Sequence, residues 1–71
     1  MTDIDKKVLE ALQELIGSRE QATTSPRELQ SRKQCLGLTT VEIAGSLKRL
    51  EKTDVIRSVP ALRSRTYWLK K

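Results

Sequence analysis

The sequence predicts a small α+β domain, mainly α, in which three helices precede a C-terminal β-hairpin. Three observations carry this. Residues 3–16 repeat apolar side chains at helical spacing. Two further helix starts are written out, as Ser25-Pro26 and as Thr39-Thr40-Val41-Glu42. Residues 55–70 then turn to β-branched and aromatic side chains interrupted by Pro60 and Ser64. Seventy-one residues make one domain, near the lower limit for a self-sufficient core. Phe is absent and Tyr67 and Trp68 are the only aromatics, so the core must be built mostly from Leu, Ile and Val.

Helix 1 is expected over about residues 3–16. Ile4, Val8, Leu12, Leu15 and Ile16 share a face, and Leu9 widens it. Thr2 suits the N-cap, Asp3 and Asp5 suit the positive first turn, and Gly17 suits the left-handed position after the helix. A polar loop follows, with Ala22-Thr23-Thr24 as a short edge strand. Helix 2, about 26–34, has Ser25 as N-cap, Pro26 at the first helical position and Glu28 where a capping-box acid belongs. Only Leu29 on it is securely apolar, with Cys35 or Leu36 at its end. Helix 3, about 40–53, opens with a complete capping box, Thr39-x-x-Glu42, and a hydrophobic staple between Leu38 and Ile43. Ile43, Leu47 and Leu50 mark its inner face. Gly45 in mid-helix costs about 1 kcal/mol against Ala, which the close approach of another backbone, DNA or helix 2, would explain.

The hairpin occupies residues 55–70. Val55 to Val59 reads as a strand, Pro60 ends it or lies at its edge, Ala61 to Ser64 turns the chain, and Arg65 to Lys70 returns. Alternation puts Tyr67 and Leu69 on one face and Trp68 on the other. Trp68 is read first as a lid on the core, with a dimer contact or a base contact as alternatives.

Charge is divided along the chain. Residues 1–24 set Asp3, Asp5, Glu10, Glu14 and Glu20 against Lys6, Lys7 and Arg19, a balance of −2. Residues 25–71 carry eleven Lys or Arg against Glu28, Glu42, Glu51 and Asp54, a balance of +7. The stretch 57–71 holds Arg57, Arg63, Arg65, Lys70 and Lys71 with no acid. Such a basic half suits a polyanionic partner. Other functions have little to stand on. With no His and a single Cys, the chain has neither the commonest general base nor a zinc ligand set. No nucleophile–base pair and no glycine-rich phosphate loop is present, so neither enzymatic activity nor a cofactor is expected. Cys35 reads as a small apolar residue in a turn. No apolar run is long enough to span a membrane and nothing resembles a signal peptide, so a cytoplasmic location is expected, on the nucleoid if the partner is DNA.

The order of parts resembles the winged helix-turn-helix domain of small prokaryotic transcription regulators. The residues that carry the resemblance are Gly37, Leu38 and Thr39, then Ile43, Leu47 and Leu50, then the exit Glu51-Lys52-Thr53-Asp54-Val55-Ile56-Arg57. The resemblance implies one domain over 1–71, binding of double-stranded DNA, helix 3 in the major groove and a basic wing on the backbone or in the minor groove. Two departures stand out. Three extra residues separate Leu29 from Gly37, and the outer face of helix 3 offers no Asn, Gln or Arg in its first two turns. The layout also resembles the Z-DNA-binding winged-helix family, but the Asn and Tyr required there correspond to Ala44 and Lys48.

Under this resemblance, phosphate contacts fall to Arg27, Arg32 and Lys33 near helix 2, to Lys48 and Arg49 on helix 3, and to Arg57, Arg63 and Arg65 on the wing. Thr39 and Thr40 would bond phosphate at the helix N-terminus. Val41 would touch a thymine methyl. Glu42 is read as a cap before a cytosine contact. A homodimer through helix 1 and a protein partner both remain open, and a protein–protein interaction module within a larger complex is the alternative function.

Overall fold

The computed structural model describes residues 2–70. The chain runs α1 (Asp3–Ile16), β1 (Ala22–Thr24), α2 (Pro26–Gln30), a 3-10 turn (Lys33–Cys35), α3 (Thr40–Lys52), β2 (Ile56–Pro60) and β3 (Arg65–Leu69). The three strands form one antiparallel sheet in the order β1-β3-β2, with Tyr67 at its centre opposite both Ala22 and Ser58.

The helix ends follow their local chemistry. Thr2 caps α1 by accepting from the Asp5 amide, and Gly17 closes it at φ 54°. The Thr39 hydroxyl accepts from the Glu42 amide while the Glu42 carboxylate accepts from the Thr39 amide, both at 3.1 Å. These reciprocal bonds satisfy two orphan donors and fix where α3 begins. Its other end is closed by Asp54 in the left-handed region, φ 66°, with the Val55 amide bonded to the Leu50 carbonyl.

Helix 2 is shorter than its expected span of 26–34. Ser25 caps it as expected, accepting from the Glu28 amide, but the Glu28 side chain meets the Thr24 hydroxyl instead of closing a capping box. The helix stops after Gln30, where the Ser31 hydroxyl turns back onto the Glu28 carbonyl at 2.7 Å. Arg32 is extended, and Lys33–Cys35 forms a 3-10 turn packed on α1. The reason lies in burial: only Leu29 anchors this polar run, and the tight turn carries Cys35 fully inside while leaving Leu36 exposed. The extra residues between Leu29 and Gly37 are spent on this turn.

The core joins Val8, Ala11 and Leu12 of α1, Leu29, Cys35, Ile43, Leu47 and Leu50 of α3, Ile56 and Tyr67. Leu38 is half-buried and packs against the core that holds Ile43. Trp68 is not the core lid. The pleat turns Tyr67 inward, to 3% exposure, and its neighbour must face the other way. Trp68 instead lies half-buried opposite Arg57, in a hollow it shares with Ile16 and Arg19. No helix among the described residues is long and apolar enough to cross a membrane.

Candidate nucleic-acid interface

One face gathers the N-terminal ends of two helices and the tip of the hairpin. Thr40, Val41 and Ala44 of α3, Ser25, Pro26 and Arg27 at the start of α2, and Arg63 of the hairpin line a single shallow concavity. It adjoins a deeper cleft between α3 and the hairpin, lined among others by Lys48, Glu51, Ala61, Arg65 and Tyr67. Each part is held there by a local device. The capping box sets the start of α3, Pro26 stiffens the start of α2, and the Ala61 amide bonds the Ser64 carbonyl at 2.9 Å to close the hairpin turn. Leu62 and Arg63 form the tip of that turn, Leu62 at 98% exposure.

The electrostatics of this face are one-sided. Among the described residues, Arg27, Lys48, Arg63 and Arg65 make no ion pair. Glu51, the acid among the residues lining the cleft, is occupied by the Ser58 hydroxyl at 2.7 Å, and Ser58 in turn accepts from Arg65 Nε at 3.0 Å. This chain of bonds holds Arg65 along the strand. The phenol of Tyr67, at the base of the cleft, is pushed above its usual pKa, chiefly by burial. The Thr40 and Val41 amides open α3 and have no intrahelical acceptor, so they present a partial positive charge to the same concavity.

The residues proposed from the sequence separate into two groups. Arg27, Thr40, Val41, Lys48, Arg63 and Arg65 line the concavity or the cleft beside it. Thr39 adjoins them as the cap of α3. The other four lie elsewhere, three of them engaged by an acid the sequence pattern did not reveal and Lys33 displaced by the turn it opens. Arg49 crosses to α1, where its Nη2 donates to Asp5 Oδ1 at 2.9 Å. Arg32 pairs with Glu14 at 3.8 Å. Lys33 opens the 3-10 turn on α1. Arg57 pairs with Asp54 at 3.6 Å and faces Trp68 across the strands. Asp54 also takes Lys70, whose hydrogen bond is the main reason its carboxyl titrates below the usual range.

Asp5 is the residue that sequence reasoning undervalued. It was expected to serve the first-turn dipole, yet it is 6% exposed and accepts from Ser46 Oγ at 2.5 Å as well as from Arg49. The signal was an acid on the apolar face, one position after Ile4 and three before Val8. Arg49 holds the Asp5 carboxyl below its usual pKa, more than burial raises it.

Cys35 is a buried free thiol whose pKa is raised by burial, in keeping with its reading as an apolar turn residue. No group of His, Cys, Asp and Glu among the described residues could hold a metal ion. No known family, no characterised protein and no solved structure matches the chain.

Proposed function

We propose that this chain is a winged helix-turn-helix module that binds double-stranded DNA and serves transcription regulation. In this reading α3 enters the major groove, the β2–β3 hairpin is the wing, and the N-terminus of α3 and the wing cations hold the backbone. One observation carries it: four cations without acidic partners converge with the open amides of α3 on a single face. Phosphate is the ligand such a face suits, because cations and free amides both neutralise it. No catalytic step and no cofactor is part of this reading.

Fluorescence anisotropy on random-sequence duplex DNA tests it. Binding in the micromolar range at about 50 mM salt, collapsing by about 200 mM, is the expected electrostatic signature. Absence of binding at the lower salt would overturn the reading.

A second reading is favoured by a different observation. Val41 and Leu62 are 79% and 98% exposed on or beside the same face. Exposed aliphatic side chains suit a protein partner, so the alternative is an interaction module in a larger complex.

A further inference from the structure

We propose that α3 reads duplex DNA through the 5-methyl group of thymine in the major groove, with Val41 as the reading side chain. This rests on the DNA-binding reading and names what that site would distinguish.

Most polar side chains of α3 are not free to meet a base. The strongest hydrogen-bonding readout uses free amide, guanidinium, ammonium or carboxylate groups that reach the base edges. Glu42 is the acid of the first turn, and its carboxylate is committed to the Thr39 amide at 3.1 Å. Ser46 is fully buried and donates to Asp5. Arg49 donates both Nε and Nη2 to the same carboxylate. Glu42, Ser46 and Arg49 are thus turned inward or already paired, which leaves Thr40 and, further along, Lys48 as the outward hydrogen-bonding side chains of the reading face.

What else faces outward is different in kind. Val41 is 79% exposed in the first turn, with Thr40 and Ala44 beside it and Lys48 further along. A β-branched side chain there gains nothing from the core and lowers helix propensity slightly. Apolar contact with the thymine methyl is a base-specific interaction open to such a side chain, since cytosine and both purines lack that methyl. The concavity around Val41 has an apolar floor in Pro26 and Ala44 and cations at its rim in Arg27 and Arg63. A methyl group flanked by phosphates matches that lining.

The test uses three repeating duplexes of equal length, so that no operator need be known. One alternates adenine and thymine. The second replaces thymine by deoxyuridine, removing only the methyl. The third alternates inosine and cytosine, keeping an A·T-like minor groove without the methyl. Wild type and Val41→Ala are titrated with each by anisotropy. Wild type is expected to favour the thymine duplex over the other two by roughly fourfold for each methyl buried. Val41→Ala is expected to bind all three alike. Equal wild-type affinity for the thymine and deoxyuridine duplexes would overturn methyl reading and leave DNA binding standing. A thymine preference that survives Val41→Ala would overturn the role of Val41. Absence of binding to all three at about 50 mM salt would overturn both this inference and the reading beneath it.

Discussion

Arg49 of α3 and Asp5 of α1 are joined by two short contacts to one carboxylate oxygen, Nη2 at 2.9 Å and Nε at 3.2 Å. The pair ties together the two longest helices from residues 44 apart in sequence. Asp5 is buried while the Arg49 side chain is half exposed, so the acid depends on the base. Arg49→Met keeps the packing of the stem and removes the donor. It is expected to destabilise the fold by about 1–3 kcal/mol, the cost of leaving a buried charged acceptor short of its partner. Thermal unfolding measures this. Because Arg49 is already engaged, DNA affinity of the folded variant should be unchanged, in contrast to what the sequence alone implies.

The same pair sets a pH dependence. The folded carboxyl of Asp5 titrates below its unfolded value, with the Arg49 hydrogen bond as the leading cause. An acid shifted downward stabilises the fold above the unfolded pKa, about 3.9, and loses that contribution as pH falls through the lower folded value. Stability should therefore be flat near neutrality and fall below about pH 4. Denaturant unfolding of wild type and Asp5→Asn across pH 2.5 to 6 checks this. The variant should be less stable near pH 6 and show a shallower acid decline; Asp54, shifted the same way by Lys70, supplies part of what remains.

Gly45 needs no close neighbour. A Cβ there would meet only Arg49 Nη1, at an ordinary 3.5 Å, and no backbone of α2 comes near. Gly45→Ala is therefore expected to raise stability by about 0.5–1 kcal/mol through helix propensity. Gly45 lies one turn beyond Val41 on the same stripe, so the added methyl should weaken duplex binding even as it strengthens the fold. Melting temperature and anisotropy on one sample separate the two effects.

Arg63 and Arg65 are exposed, so their removal should cost little stability. Arg63→Ala with Arg65→Ala is expected to lower duplex affinity several-fold and to reduce the slope of log affinity against log salt by about two. An unchanged slope would mean that the hairpin makes no phosphate contact.

Much of the fold was legible because its signals are local. The caps at Thr2, Ser25 and Thr39, the glycine after Ile16 and the β-branched run before Pro60 act over a few residues, and each sits where its chemistry required. Helix 2 was overextended because nothing local distinguishes a polar helix end from a polar 3-10 turn; burial of Cys35 against α1 decides it. Trp68 was misplaced for a related reason. Alternation showed that Tyr67 and Trp68 face opposite ways, but which face meets the core depends on register with β1 and β2. The candidate site was half legible. Arg27, Lys48, Arg63 and Arg65 could be named from charge, whereas Arg32, Arg49 and Arg57 looked equally free until Glu14, Asp5 and Asp54 were seen beside them. Those pairings join residues distant in sequence or depend on side-chain direction at a helix end.

In the proposed reading, one face from the start of α3 to the hairpin tip binds duplex DNA. Amide chemical shifts of the labelled protein, followed during titration with a random-sequence duplex at low salt, test it most directly. Shifts should concentrate at Thr39 to Lys48, at Arg27 and at Ala61 to Arg65, and should reverse on adding salt. Shifts confined to Thr23, Arg57, Thr66 and Trp68 would put any binding on the opposite face of the sheet and overturn this assignment of the site; a spectrum that does not change would overturn DNA binding itself.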